Sequence, residues 1–160
     1  MINKKTLLIC VMLFVAGGVS SWFYESAFKK INDAEECTAS IVTYNKDYRA
    51  HLTIDFLYTL EKKTGVMVLN GEIYNKGNFI GSIRRDVSYI WSENQNVFHF
   101  TSIKVHKIID SPKLSDQILS EILPDFYVYP DKIISYSILP QGKGGFMFTV
   151  GERPVFICSR

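Results

Sequence analysis

The chain has 160 residues, of which 47% are hydrophobic, and its formal net charge is +2. Lys4 and Lys5 account for that excess, so the residues after Tyr24 are formally neutral and lack the basic surface that nucleic-acid binding requires. The 136 residues that follow Tyr24 are enough for one domain and few for two.

Residues 6–24 form a run of nineteen uncharged, mostly apolar residues. As a helix this run is about 28 Å long, which matches the hydrocarbon core of a bilayer. Because Lys4 and Lys5 precede it, the positive-inside rule places the N-terminus in the cytoplasm and the remaining chain in the periplasm. We therefore predict a single-pass protein of the bacterial inner membrane, with a transmembrane signal anchor within residues 1–24.

A cleaved signal peptide is the alternative for the same segment. Small residues at 16–21 loosely fit a processing site, and cleavage there would release a secreted periplasmic domain. However, the apolar run is longer than a secretory signal needs, and it ends in Trp22, Phe23 and Tyr24, which suit a membrane interface. Its length and its aromatic end favour a retained anchor.

A stalk over residues 25–36 and one β domain over residues 37–160 are predicted to follow, because no repeat or Pro/Gly/Ser-rich linker divides them. Cys37 and Cys158 lie near the two ends of this domain. Two cysteines in the periplasm are expected to pair, although two buried thiols are the alternative. We predict a disulfide bond between them, since no CxxC spacing or nearby histidine indicates a metal or redox-active site.

Most of the domain has the two-residue periodicity of β-strands. In residues 51–60, for example, apolar side chains alternate with polar ones, which indicates one buried and one exposed face. Turn residues separate similar segments, and the predicted strands cover residues 38–44, 51–60, 66–74, 79–91, 97–107, 133–139, 146–150 and 155–158. About eight antiparallel strands predict a mainly β fold, either a closed or nearly closed barrel or a strongly curved sheet.

One segment is predicted to form a short amphipathic helix that covers one side of the β domain. Ser111 is the expected N-cap and Pro112 the expected first helical residue. The helix is expected to end before Pro124. Its apolar stripe consists of Leu114, Ile118, Leu119 and Ile122.

Arg85 is the charged residue that strand alternation turns toward the interior. If Phe79 and Ile83 face inward, Arg85 does too, and an unpaired charge there is costly. An arginine inside an apolar cavity suits the carboxylate or sulfate of a small amphipathic ligand, so Arg85 is the candidate ligand contact. The alternatives are a bulge near Gly81 that exposes Arg85, and an internal ion pair with an acid such as Asp86.

No catalytic, metal or cofactor site is predicted. His51 lies on the polar face of its strand, and His99 and His106 are expected on opposite faces of one strand because their separation is odd. The chain contains no nucleophile elbow and no zinc signature. We therefore expect a protein that is not an enzyme and needs no cofactor.

Several features together resemble a known family. They are the apolar N-terminal run, Cys37, the GSIRR stretch at 81–85, the LPDF stretch at 123–126 and the PVFIC stretch at 154–158. This combination is similar to the FidL-like inner-membrane proteins of enterobacteria, which have no established biochemical activity. Members are often encoded beside a membrane-anchored transcriptional regulator of the ToxR type.

The layout of the chain also resembles the ToxS and VtrC accessory proteins, which form lipocalin-like periplasmic barrels with such regulators. The resemblance implies a lipocalin-like barrel and a ToxR-like membrane protein as partner, which the periplasmic domain would stabilise or supply with a signal. The alternative is a lipocalin-like binder of a small amphipathic ligand. Because this is a likeness of layout, it transfers no binding residues.

Overall fold

The structure is a computed structural model that describes residues 12–24, 34–142 and 144–160. The chain divides between Ala34 and Glu35 into two units. Residues 12–24 of the first unit are helical and are called α1. Residues 1–11 of the predicted anchor and 25–33 of the predicted stalk lie outside the described residues. Over the three described ranges, no helix is long and apolar enough to cross a membrane.

The second unit is a closed antiparallel barrel of eight strands in sequence order, in which β1 also pairs with β8. The strands are β1 (Ala34–Asn45), β2 (Tyr48–Thr59), β3 (Thr64–Asn75), β4 (Asn78–Asn94), β5 (Val97–Asp110), β6 (Ile133–Pro140), β7 (Gly145–Val150) and β8 (Arg153–Ser159). A short helix, α2 (Asp116–Ile122), and a 3-10 turn (Asp125–Tyr127) lie between β5 and β6. The predicted mainly β fold is confirmed, in its closed form. The last residues of the predicted stalk, 34–36, belong to β1.

Alternation of apolar and polar residues explains which face of each strand is buried. In β2, the side chains of Ala50, Leu52, Ile54 and Phe56 are buried, whereas the residues between them are exposed or half-buried. Burying a large apolar side chain contributes about 1.5–3 kcal/mol, so the buried side chains of β2 strongly favour this register. A shift by one residue would expose all of them.

A β-bulge near the start of β4 decides which of its residues face the core. The register shifts between Ile73 and Tyr74, which pair with Gly81 and Phe79, so β4 contains one extra residue there. The expectation that Phe79 faces inward is therefore wrong, and its side chain is 57% exposed. From Gly81 onward the alternation is regular, and Arg85 faces inward.

A second bulge changes the faces of β5. One register shift leaves Ile103 as an extra residue between His99 and His106. The two histidines pair with Ser92 and Asp86, which lie on one face of β4 because they are six residues apart. The prediction that the histidines lie on opposite faces is wrong, because the extra residue shifts the alternation and places both side chains on the same face.

Helix α2 begins four residues later than predicted. Its N-cap is Ser115, whose hydroxyl accepts a hydrogen bond from the backbone N of Ile118 at 3.3 Å. The Ser111 hydroxyl instead accepts a bond from the backbone N of Ser82 at 3.0 Å, which ties the segment before the helix to β4. The predicted end of the helix is confirmed. Ile118, Leu119 and Ile122 of the predicted stripe lie on the helix, and Leu119 is fully buried, whereas Leu114 precedes the N-cap and lies outside the helix.

The two ends of the barrel differ. At one end, here called the helix end, Glu121 of α2 accepts a hydrogen bond from Asn45 and forms an ion pair with Lys46 at 3.4 Å. At the other end, here called the mouth, β1 begins and β8 ends. The disulfide bond between Cys37 and Cys158 joins these two strands near the mouth, which confirms the predicted pairing.

Candidate ligand-binding cavity

A cavity of about 320 Å³ opens at the mouth of the barrel. This volume is at the small end of the range for small-molecule sites. Most of its walls are aromatic or aliphatic, and they include Phe56, Tyr89, Trp91, Phe100, Phe146 and Phe148. The cavity is therefore suited to an apolar group.

Aromatic side chains contact one another around the cavity and hold its walls in place. The ring of Phe148 lies 5.1 Å from that of Phe56 and 4.6 Å from that of Phe156, measured between centroids. Tyr89 packs edge to face on Phe100 at 5.4 Å. Such pairs add about 0.5–1.5 kcal/mol each beyond the area they bury. The walls are thus interlocked across four strands, β2, β4, β5 and β7, with β8 behind them.

A glycine in β3 makes room for one of these walls. Gly65 pairs directly with Tyr89, and a Cβ atom on Gly65 would lie 2.3 Å from the Cζ atom of the Tyr89 ring. The missing side chain allows the ring to lie flat across β3, where its hydroxyl donates to the backbone oxygen of Leu57 at 3.3 Å. Burial raises the pKa of Tyr89, which therefore stays a neutral donor.

Three polar side chains meet at the edge of the cavity, and we call Glu35, Tyr58 and Arg160 the mouth cluster. The Tyr58 hydroxyl donates to Oε2 of Glu35 at 2.6 Å, and the Arg160 guanidinium donates to the same oxygen. The guanidinium also lies over the Phe146 ring, 4.6 Å from its centroid. One carboxylate is thus held by a neutral donor and a cationic donor beside an apolar cavity.

Tyr58 and Arg160 of the mouth cluster both remain protonated near neutral pH. Burial raises the pKa of Tyr58 to about 12, and the neighbouring Glu35 carboxylate adds to this rise. The hydrogen bond to Tyr58, followed by the attraction of Glu35, raises the pKa of Arg160. The cluster therefore contains a protonated hydroxyl and a guanidinium cation facing one acidic side chain.

The disulfide bond lies beside the mouth cluster. Cys37 lines the cavity, two residues after Glu35, and Cys158 lies two residues before Arg160. The two Cα atoms are 5.4 Å apart, and the bond spans 121 residues of sequence. It therefore holds β1, which carries Glu35, to β8, which Arg160 directly follows.

Arg85 lies away from the mouth cavity, and its side chain is fully buried. Its Nε and Nη2 atoms donate to the two carboxylate oxygens of Asp110 at 3.1 and 2.5 Å, and Nη2 also donates to Asp116 at 2.8 Å. The inward orientation is confirmed, and the nearby bulge does not expose the residue. The acids that pair with it are Asp110 and Asp116 rather than Asp86.

The mouth cluster was not identified from the sequence. Glu35 falls in the predicted stalk and lies 125 positions from Arg160, so no local pattern connects them. They meet because β1 and β8 are neighbours in the closed barrel. Tyr58 did carry a signal, since the alternation in β2 turns it toward the interior.

A second surface feature lies on the outside of the barrel. A shallow groove of about 610 Å³ crosses the outer face of β1 to β5. His51, Glu72 and Arg84 supply polar atoms to this groove, while Val42 and Ile109 add apolar side chains that are 48% and 53% exposed. The surface is mixed in character, as a protein-binding surface usually is.

Fold and cavity place the chain among small closed β-barrels, whose interior either fills with side chains or holds one small molecule. The chain belongs to the YqeJ C-terminal domain family, whose model matches residues 34–158. It is also 39% identical over 160 residues to the uncharacterised protein YqeJ of Escherichia coli strain K12, and the alignment covers all of both chains. These matches do not confirm the FidL-like or ToxS-type assignment.

Proposed function

We propose that the barrel binds a small amphipathic molecule in the mouth cavity. The apolar part of the ligand contacts the aromatic walls, and its polar end reaches the mouth cluster. The single observation that supports this function is the cavity itself, an open apolar space with polar donors at its edge. Ligand sites typically combine these two features.

The contrast between the ends of the barrel supports the same function. At the helix end, Leu119 and Arg85 are fully buried and fill the interior. Toward the mouth, large aromatic side chains surround an open space rather than interdigitate across it. An empty apolar space forfeits packing contacts along its walls, and a bound aliphatic chain would restore them.

Quenching of Trp91 fluorescence tests this function directly, because Trp91 lines the cavity. The sequence has two tryptophans, so Trp22→Phe leaves Trp91 as the remaining one. The full chain, kept in solution by an amphipathic polymer instead of detergent, is titrated with aliphatic compounds that carry a terminal bromine. We expect saturable quenching, since bromine quenches indole emission at contact.

A matched pair of variants distinguishes binding in the cavity from unspecific contact. Ile138→Phe fills part of the cavity and should weaken quenching, whereas Ile157→Phe enlarges a side chain that is 60% exposed on β8 and should not. Quenching that rises linearly and equally in both variants would exclude a ligand site in the mouth cavity.

We also propose that the protein is an inner-membrane accessory protein whose periplasmic domain contacts a ToxR-like regulator through the outer groove. The exposed Val42 and Ile109 side chains in that groove favour a protein partner. The apolar, uncharged sequence of residues 6–24 supports an anchor in the same membrane.

Crosslinking in intact cells tests the accessory role. A photoreactive amino acid at position 42 or 109 should capture a membrane-anchored regulator with a winged-helix domain, and the same group at Ile157 on β8 should not. Loss of this protein should also lower the level or output of that regulator. An unchanged regulator together with no captured partner would contradict the accessory role.

A further inference from the structure

The mouth cluster is already a carboxylate-binding arrangement. Tyr58 donates from β2, Arg160 donates from the position directly after β8, and both bonds end on Oε2 of Glu35. Two donors that converge on one oxygen beside an apolar cavity match the needs of a carboxylate joined to an aliphatic chain. The chain's own Glu35 supplies the carboxylate in this structure.

Both donors are held independently of Glu35. The Arg160 guanidinium lies over the Phe146 ring, and the Arg160 backbone N donates to the backbone oxygen of Gly144 at 3.2 Å. The backbone of Tyr58 is fixed by the pairing of β2 with β3, where its partner residue is Gly65. Removing the Glu35 carboxylate would therefore leave the two donors in place.

Glu35 lies at the edge of the barrel, where its side chain reaches water. It is the second residue of β1, and its side chain is 29% exposed. The nearest covalent restraint is the disulfide bond at Cys37. A rotation of the Glu35 side chain would transfer its carboxylate to water, where an exposed charge is well solvated.

We propose that the ligand is an aliphatic carboxylate whose head group replaces the Glu35 carboxylate on Tyr58 and Arg160, a ligand class that rests on the proposed function. One charged acceptor replaces another, so the charges at the donors stay balanced. An alcohol is a neutral acceptor and forms weaker hydrogen bonds with the same donors, and a cationic head group is repelled by Arg160. The aliphatic chain lies in the cavity against the aromatic walls.

The test compares three compounds that share one brominated chain: ω-bromoundecanoate, ω-bromoundecanol and the corresponding trimethylammonium salt. Each is titrated into the full chain with Trp22→Phe, and the half-saturating concentration is read from Trp91 quenching. We expect the carboxylate to bind about tenfold more tightly than the alcohol, as charge-assisted hydrogen bonds allow, and the cation to bind most weakly.

Two variants, each with a matched control, test whether the ligand head group replaces the Glu35 carboxylate. Arg160→Gln should remove the preference for the carboxylate over the alcohol, whereas Arg153→Gln, at an exposed position, should retain it. Glu35→Gln should tighten carboxylate binding, because the internal competitor becomes a weaker, neutral acceptor. Glu36→Gln alters the exposed neighbouring acid and should have no effect.

The outcomes separate the ligand class from the proposed function. Saturable quenching with equal affinity for the carboxylate and the alcohol, or strongest binding of the cation, would overturn the ligand class and leave the binding function intact. Weaker carboxylate binding in Glu35→Gln would overturn the exchange at Glu35. No saturable quenching by any of the three compounds would contradict the binding function itself.

Discussion

At the scale of single residues, Arg85 shows how a buried charge is paired. Its guanidinium, on β4, is held by Asp110 from the end of β5 and by Asp116 from the first turn of α2. Asp116 is in turn bonded to Lys107 at 2.5 Å. Burying an arginine is costly without such partners, so these acids are what permit it to lie in the core.

We predict that Asp110→Asn destabilises the barrel by about 2 kcal/mol, because it leaves a buried guanidinium with less compensating charge. The effect is below that for a wholly buried pair, since the Asp110 side chain is 20% exposed. The midpoint of urea unfolding, followed by circular dichroism, measures the change. Asp47→Asn is the control, because that carboxylate is 62% exposed and 3.7 Å from Lys76, and it should change stability by under about 0.5 kcal/mol.

The lowered pKa of Asp116 leads to a prediction of how the stability of the fold depends on pH. Burial alone would raise the pKa of Asp116, but hydrogen bonds from Lys107 and Arg85 lower it below its usual 3.8. A carboxyl group with a lower pKa in the folded state stabilises the fold above its unfolded pKa, and this contribution disappears as the pH falls through the folded pKa. We therefore expect Asp116→Asn to reduce the loss of stability between about pH 5 and about pH 2. Thermal midpoints across that range provide the measurement, and an unchanged pH dependence would contradict the assignment.

At the scale of elements, the segment before α2 docks on β4 because Gly81 has no side chain. A Cβ atom on Gly81 would lie 2.4 Å from the Cβ atom of Ser111 and 3.0 Å from Leu114. This close approach allows the Ser111 hydroxyl to bond the backbone of Ser82. The segment is thereby held against the sheet, and the helix begins only at Asp116.

We predict that Gly81→Ala destabilises the protein by about 1–3 kcal/mol, as overpacking of a tight contact usually does. The added methyl group must push the Ser111 segment away from β4, so the distance between them increases. Gly144→Ala is the matched control, because the nearest atom to its Cβ is 4.0 Å away. Equal stability of the two variants in urea would show that the Ser111 segment moves away from Gly81 without a measurable cost in stability.

The positions of the strands are predictable from the sequence, whereas the face on which each side chain lies is not. Two-residue alternation identified all eight strands, because each barrel strand has one buried face. The bulges in β4 and β5 give no such signal, since the extra residues Ile80, Ile103 and Ile108 are themselves apolar and look like ordinary strand residues. For this reason the predicted inward orientation of Phe79 is wrong, whereas that of Arg85, which lies beyond the bulge in β4, is correct.

The candidate site was less predictable than the fold for a different reason. Tyr58 and Trp91 lie in regular strands, so alternation indicates that they face the interior. The contact of Glu35 with Arg160 joins residues 125 positions apart, and it depends on the closure of the barrel. Local patterns carry no signal for such a pair, and the two cysteines near it were the available sign that these ends meet.

At the scale of the whole molecule, the contact between β1 and β8 is what converts a curved sheet into a barrel. Thr38 pairs with Ser159 across this contact, and each residue is next to a cysteine of the disulfide bond. The bond closes a loop of 121 residues, which on the chain-entropy model stabilises the fold by about 5 kcal/mol. The mouth cavity depends on the same contact, because Cys37 is part of its wall.

We therefore predict that Cys37→Ala with Cys158→Ala lowers both stability and order at the mouth. The thermal midpoint should fall, and Trp91 emission should shift to longer wavelength, because loosening β1 from β8 admits water to the cavity that Trp91 lines. Cys10→Ser is the control, since it removes a thiol without removing the bond and should change neither quantity. Addition of reductant to the unaltered chain should reproduce the effect of the double variant. A lower thermal midpoint with unchanged Trp91 emission would instead mean that hydrogen bonds alone keep β1 and β8 together in the folded state. The disulfide bond would then act mainly on the unfolded chain.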